Sequence, residues 1–261
     1  MIPKQIHYCW FGKKTKPKLV LDCISSWKKE LPEYEIIEWN ESNFKLEVHF
    51  AKEFYRLKKF AFVSDYVRMK VLHEFGGIYL DTDILVLKSL NPFLNNKCFM
   101  GAEDSEFINC AIIGAEPKNR FVKKVVEFYE SVQCNLETDL NILTIPRVVT
   151  NLYRKEFEFN GRFDKNISNE LTHVYKSDYF YPLTFDNRFE AIDYKDHLTD
   201  NSYAVHLWNN SWMSHNEFHY FRNGDYKLGF RQVLVSSEVK NFRYFKKIIS
   251  SLKESFKKNN E

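Results

Sequence analysis

The sequence predicts an α/β fold built on parallel strands, and three observations lead there. The chain opens as strand, helix, strand, over Gln5 to Phe11, Pro17 to Leu31 and Tyr34 to Trp39. A long helical stretch is stopped by Gly76 and Gly77, and a strand follows at once. Two more short strands then precede another helix with one apolar face. The 261 residues, 44% hydrophobic and 17% aromatic, supply ample material for a packed core.

The elements can be justified in order. Gln5 to Phe11 reads as a first buried strand, and Leu19, Leu21, Ile24 and Trp27 recur at helical spacing until Pro32 ends the run. Tyr34 to Trp39 is the second strand. A strand-helix-strand unit favours a right-handed crossover with ligands at the carboxyl ends of the strands, where Trp10 falls. Ala51 to Phe75 lacks Gly and Pro and is expected to form one helix, closed by glycines that tolerate a left-handed turn. Cys98 to Glu103 and Asn109 to Ala115 are short strands, and Phe121, Val122, Val125, Val126, Tyr129 and Val132 mark a helix face. From Thr138 to Asn201 the pattern weakens, with a helix through Asn151 and otherwise irregular structure expected to shape an acceptor pocket. Tyr203 to Leu207 is a last strand before the loop Trp208 to Ser214 and a basic helical tail. The expected domains are residues 1–214 and a C-terminal extension, 215–261, packed on them.

Composition excludes some partners. A balance of 38 Lys+Arg against 35 Asp+Glu, net +3, is too weak a bias for nucleic acid. Five cysteines, Cys9, Cys23, Cys98, Cys110 and Cys134, are odd in number and form no C-x-x-C pair, so they read as reduced packing residues of a cytoplasmic protein. No signal-like apolar segment opens the chain, and no apolar run approaches the ~18 residues of a membrane span.

The chemistry concentrates in F-G-G-I-Y-L-D-T-D-I-L-V-L, Phe75 to Leu87. In an extended strand positions i and i+2 share a face, so Asp81 and Asp83 are expected to converge and to repel each other unless a cation sits between them. Carboxylate oxygens suit hard divalent ions such as Mg2+ or Mn2+, which leave room for substrate phosphates. An isolated Asp-x-Asp is more often a solvated turn, but here it interrupts two apolar runs. Asp65 and Arg68, three apart on the preceding helix among apolar neighbours, form either an ordinary surface ion pair or a ligand-holding pair accepting from sugar hydroxyls and donating to hydroxyl or phosphate oxygens. In A-V-H-L-W-N-N-S-W, Ala204 to Trp212, His206 is either a core histidine or a third metal ligand, and Ser211 and Trp212 offer a hydroxyl and an indole N–H to a phosphate.

Four ordered blocks carry a resemblance: I-P-K-Q-I-H-Y-C-W-F-G at Ile2 to Gly12, S-D-Y-V-R at Ser64 to Arg68, G-G-I-Y-L-D-T-D at Gly76 to Asp83, and H-L-W-N-N-S-W at His206 to Trp212. Together they resemble the Asp-x-Asp glycosyltransferases of family 32, a sugar-transferase group that includes bacterial capsule enzymes. The resemblance implies a GT-A-like Rossmann-type domain that binds a nucleotide sugar, a UDP-sugar more readily than a GDP-sugar, with Mn2+ or Mg2+. It implies transfer of a hexose or N-acetylhexosamine, with retention, to a saccharide or lipid-linked acceptor in surface polysaccharide synthesis. By the same resemblance Trp10 stacks on the base, Tyr79 lies near the ribose, and Asp65 and Arg68 hold the donor sugar. Asp81 touches ribose and the metal's water shell, Asp83 and His206 bind the metal, Ser211 and Trp212 grip the β-phosphate, and Asn109 faces the sugar. Thr144-Ile145-Pro146 departs from the Gly-Pro pair of related sequences, on the acceptor side.

Three alternatives stay open at this level: a GDP-mannose-dependent mannosyltransferase, a haloacid-dehalogenase-like phosphatase using Asp81 as nucleophile, and a non-catalytic carbohydrate binder. The phosphatase motif normally opens its chain, and no later acidic pair of that kind follows. The tail, Lys240 to Lys258, sets seven basic residues against Glu254 around an apolar stripe. Packing on the catalytic domain accounts for the stripe, and a basic amphipathic helix also fits peripheral contact with an anionic membrane at its cytoplasmic face.

Overall fold

The computed structural model describes residues 1–133, 140–208, 217–222, 224, 226–235 and 240–258. It divides into two compact units, Met1–Asn209 and Asn210–Glu261. In the first, strand β1 (Gln5–Cys9) leads through helix α1 (Lys18–Glu30) to β2 (Glu35–Trp39), then α2 (His49–Arg56), α3 (Phe60–Phe75), β3 (Gly77–Leu80) and β4 (Ile84–Val86). Next come β5 (Cys98–Ala102), β6 (Ile108–Ala115), α4 (Arg120–Ser131), α5 (Ile145–Glu156), β7 (Ile167–Ser168), β8 (His173–Tyr175) and β9 (Ala204–His206).

A seven-stranded sheet runs β2-β1-β3-β6-β5-β8-β7, and β4 with β9 forms a separate two-stranded sheet. The sheet is mixed. Strands β2, β1 and β3 are parallel, as the opening crossover requires, whereas β6 runs antiparallel to both β3 and β5. Only five residues, 103–107, join β5 to β6, too few for a crossover, so β6 must return antiparallel.

The pleat assigns alternate residues to two cores. Ile78 and Leu80 enter one cluster with Trp27, Ile112 and Phe180, while Tyr79 enters the other with Phe50, Val67, Ile113 and Phe121. Apolar runs such as Cys98–Ala102 and Ile108–Ala115 are therefore buried on both faces.

The single helix expected over Ala51 to Phe75 is two. Lys58 adopts φ +57°, with the Lys59 N–H donating to Phe54 O at 2.9 Å and the Lys58 N–H to Tyr55 O at 2.9 Å. These are the crossed bonds of a left-handed helix stop, normally made by glycine or asparagine. At the end of α3, Gly76 and Gly77 have φ +71° and +98°. A Cβ on Gly77 would lie 2.8 Å from both Gln5 O and His7 Nε2, so glycine is what lets β3 enter beside β1 directly after the helix.

Cys9, Cys23, Cys98 and Cys110 are buried and unbridged; Cys134 lies outside the described residues. In the second unit, α6 (Glu217–Arg222), α7 (Tyr226–Val235) and α8 (Phe242–Lys258) pack through Phe218 on Tyr244, with ring centroids 5.3 Å apart, and Phe221 on Phe230 at 5.1 Å. Not all of the tail's apolar stripe is covered: Phe242, Phe245 and Ile249 are 87%, 49% and 53% exposed. Among the described residues no helix is long and apolar enough to cross a membrane.

Candidate active site

The site is built where β3 ends. The Asp81 N–H still donates to Ala111 O of β6 at 2.7 Å, and the Ile84 N–H donates back to Asp81 O at 3.0 Å. Asp81, Thr82 and Asp83 therefore form a turn rather than the extended strand expected, because the chain must leave the main sheet to enter β4. The two carboxylates still converge, through turn geometry instead of strand alternation. Trp27 and Ser26 of α1 hold β4, with the Trp27 indole N–H donating to Ile84 O at 2.7 Å and the Val86 N–H to Ser26 Oγ at 3.0 Å.

The histidine arrives by strand pairing. Antiparallel β4 and β9 set Ile84 opposite His206, and the Leu207 N–H donates to Asp83 O at 3.0 Å. His206 Nε2 lies 3.2 Å from Asp83 Oδ1, and these side chains are only 10% and 13% exposed. Ligand atoms of Asp81, Asp83 and His206 all fall within 4.8 Å of one another. Burial lowers the basicity of His206, but the charges of Asp83, Asp81 and Glu103 more than offset it, so its pKa is raised.

A divalent cation fits this donor set. Carboxylate oxygens with one imidazole suit Mn2+ or Mg2+, and a buried His206 Nδ1 has no hydrogen-bond partner among the described residues. Burial and the neighbouring Asp83 raise the Asp81 pKa against the pull of Arg68, a repulsion that a cation would relieve.

Arg68 is held among protein acceptors. It donates from Nε to Ser64 O at 3.4 Å, from Nη1 to Cys110 O at 2.8 Å and Asp81 Oδ2 at 3.2 Å, and from Nη2 to Asp65 Oδ1 at 2.9 Å. Nη2 also lies 3.2 Å from Asp81 Oδ1 as an ion pair, so four hydrogen bonds and two carboxylates surround the guanidinium. Its guanidinium lies 4.6 Å above the Tyr79 ring centroid, and its side chain is 5% exposed. The pair is therefore buried, not the ordinary surface ion pair that was the other expectation.

Asp65 is buried with Arg68: its Oδ1 accepts from Arg68 Nη2 at 2.9 Å, and the nearby backbone N–H of Ile145, the first residue of α5, favours its charged form. Burial pushes its carboxyl up to about 7. Tyr79 is buried, and its hydroxyl donates to Asp81 Oδ1 at 3.1 Å. With Tyr79 and Arg68 on both its oxygens, Asp81 is poorly disposed to serve as a phosphatase nucleophile.

Trp10 ends β1 beside the β3 strand and is half-buried, its indole N–H donating to Lys14 O at 2.7 Å. Asn109 is buried, with both ends of its amide engaged, to Glu103 Oε2 and from the Ala111 N–H, each at 2.7 Å. Ser211 and Trp212 lie outside the described residues. Trp208 packs directly on His206. Its ring centroid is 3.9 Å from that of His206, its indole N–H donates to Leu183 O at 2.8 Å, and its backbone takes φ +49°, unusual for a bulky residue. It lies inside the H-L-W-N-N-S-W block, where only Trp212 was assigned a ligand role.

Residues 17–100 match the family model described as a glycosyltransferase sugar-binding region containing a DXD motif, and both aspartates lie inside that match. Lactosylceramide 4-alpha-galactosyltransferase of Rattus norvegicus is 28% identical over 156 residues, covering 56% of this chain and 40% of the relative. Alpha-1,4-N-acetylglucosaminyltransferase of Homo sapiens is 27% identical over 156 residues, covering 56% and 42%. The chain thus spans about two-fifths of the length of these curated relatives. Among solved structures, PaToxG glycosyltransferase superposes with a TM-score of 0.50 at 20% identity, over 60% of this chain and 70% of that one. The architecture is the mixed α/β fold of GT-A glycosyltransferases.

Proposed function

We propose that the chain, carrying a DXD sugar-binding region on a GT-A sheet, is a metal-dependent retaining glycosyltransferase moving a hexose or N-acetylhexosamine from a nucleotide diphosphate sugar to a saccharide hydroxyl. The observation that carries this reading is the convergence of Asp81, Asp83 and His206, within 4.8 Å, at the end of the β3 strand. The printed activities of the relatives, alpha-galactosyl and alpha-N-acetylglucosaminyl transfer, support the sugar class and retention. The sequence blocks favour UDP over GDP and a role in surface polysaccharide synthesis.

Asp81, Asp83 and His206 would hold Mn2+ or Mg2+, which supplies positive charge against the departing diphosphate. The chain's own residues prepare that site. Arg68 and Tyr79 fix both oxygens of Asp81 before any ligand arrives, so little reorganisation is needed when the donor binds. His206 Nε2 lies 3.2 Å from Asp83 Oδ1, and any proton held between them would have to leave before that nitrogen could act as a ligand. Trp10, at the carboxyl end of β1, offers an aromatic face to the base.

The test is release of nucleoside diphosphate from UDP-galactose, UDP-glucose, UDP-N-acetylhexosamines and GDP-mannose, with Mn2+ and with EDTA. Asp83→Asn should lower metal-dependent release by about a hundredfold or more, ~3 kcal/mol of barrier. A folded Asp83→Asn variant with near-wild-type release, or no metal-dependent release from any donor, refutes the proposal.

The same reading places the enzyme at the cytoplasmic face of an anionic membrane, near a lipid-linked acceptor. It is supported by the exposed Phe242, Phe245 and Ile249 of α8 beside exposed Lys240, Lys246 and Lys253, at about 1 kcal/mol per basic residue near such a surface. Liposome co-sedimentation unchanged by deleting residues 240–261 argues against it.

A further inference from the structure

Glu103 lies outside the cation-binding set, yet it stands at the neck of the β5–β6 hairpin, on the same sheet end as Asp81. Its N–H donates to Phe107 O at 2.8 Å, and Asp104 Oδ1 accepts the N–H groups of Glu106 and Phe107 at 2.7 and 2.9 Å, so the backbone beneath Glu103 is fixed. Its Oε2 accepts from Asn109 Nδ2 at 2.7 Å; Asn109 Oδ1 accepts the Ala111 N–H at 2.7 Å; Ala111 O accepts the Asp81 N–H at 2.7 Å. A short chain of bonds therefore ties this carboxylate to the strand that carries the DXD turn. Tyr181 closes the other side, donating to Asn109 O at 3.3 Å with its ring centroid 6.0 Å from that of His206.

The bonding of Glu103 is incomplete. Among the described residues it has no ion pair, and no hydrogen bond reaches its Oε1. Burial pushes its carboxyl up, and its charge acts on His206 across the site. The free oxygen of this half-buried carboxylate is not among the buried unpartnered atoms, so it is open to accept from a ligand hydroxyl, while Asn109 holds the other. Arg68, one of the residues expected to hold the sugar, donates to Ser64 O, Cys110 O, Asp81 and Asp65. Were Glu103 only a clasp for the hairpin, a neutral glutamine accepting through its carbonyl would serve as well.

We infer that Glu103, held by Asn109, reads the transferred sugar by accepting hydrogen bonds from its ring hydroxyls. This rests on the transferase reading above and adds to it a specificity-determining residue. A carboxylate accepts from two neighbouring hydroxyls, and changing one of them from axial to equatorial removes a donor from its reach, so the same group discriminates epimers.

The experiment compares wild type, Glu103→Gln and Glu103→Ala by calorimetric titration with Mn2+ plus UDP or GDP, and with Mn2+ plus whichever of UDP-galactose, UDP-glucose or GDP-mannose the wild type hydrolyses. The bare nucleotide monitors the fold and the metal site; the sugar-bearing donor monitors Glu103. Bare-nucleotide affinity should stay within twofold in both variants. Affinity for the sugar-bearing donor, or its hydrolysis rate, should fall about ten- to hundredfold, as expected for losing a hydrogen bond to a charged group, and the preference between the galactose and glucose donors should narrow. Donor affinity, rate and epimer preference all within twofold of wild type in Glu103→Gln would overturn the assignment. An equal loss of bare-nucleotide binding in both variants would overturn it too, by making Glu103 structural. A wild type that binds neither nucleotide with Mn2+ would instead overturn the transferase reading, and the assignment with it.

Discussion

Replacing Arg68 by methionine tests how the site is held together. The change keeps the length and apolar stem but removes a guanidinium that sits 2.9 Å from Asp65 Oδ1 and 3.2 Å from Asp81 and also satisfies Cys110 O. Removing one partner of a buried ion pair costs about 3–5 kcal/mol, chiefly because the charge left behind is uncompensated. For a domain of this size about 4 kcal/mol corresponds to a fall of roughly 8–16 °C in Tm. Burial already raises the Asp65 carboxyl to about 7 against the pull of Arg68, so losing Arg68 raises it further. A raised carboxylate pKa means stability lost as pH rises through the folded value. The deficit relative to wild type should therefore be smallest below about pH 7, where Asp65 is protonated in both proteins, and should grow above it. Thermal unfolding followed by circular dichroism from pH 6 to 9 at constant ionic strength measures both effects. Arg68→Lys should rescue little, since one ammonium cannot span two carboxylates and two carbonyls. A deficit below about 1 kcal/mol, or one independent of pH, would refute the reasoning.

Other outcomes follow from particular contacts. His7 is fixed as a neutral imidazole by the Trp39 indole N–H at 3.1 Å and by its own donation to Gly76 O at 2.8 Å, and burial lowers its pKa to about 4. Its contribution is complete above the unfolded value of ~6.5 and is lost as pH falls toward 4, about 3 kcal/mol in all; the urea-midpoint difference between wild type and His7→Gln should shrink over that interval. Because the acids around His206 raise its pKa, Mn2+ must displace a proton there, and apparent Mn2+ affinity by calorimetry should weaken as the solution is acidified. Gly114→Ala would put a Cβ 2.2 Å from the Phe99 ring inside the sheet, and about 1–3 kcal/mol should be lost in urea denaturation. Lys58→Gly should stabilise by roughly 1 kcal/mol, since it relieves a left-handed lysine at φ +57°.

Much of the fold was legible because it depends on local spacing. The opening strand-helix-strand unit, the glycine stop after Phe75 and the strands flanking residues 103–107 fall close to where periodicity and turn chemistry put them. The break at Lys58 was not legible, because the left-handed position is filled by a residue that does not advertise it. Nor was the turn at Asp81 to Asp83, since the same apolar flanks fit one continuous strand or two strands in different sheets.

By itself the sequence determined which residue types gather: two acids one residue apart after a Gly-Gly strand, an Asp and Arg three apart on an apolar helix, and a late histidine in an aromatic segment. Only the tertiary structure decided what each does. Pairing of β4 with β9 carries His206 across 123 positions to Asp83; burial turns Arg68 inward to hold Asp81 and Asp65; and the β5–β6 hairpin sets Glu103, unmarked in its own neighbourhood, on Asn109 at the sheet end where β3 leaves. Local pattern fixes side-chain periodicity, but which donors and acceptors are already satisfied depends on long-range pairing, and that decides which groups are left for a ligand.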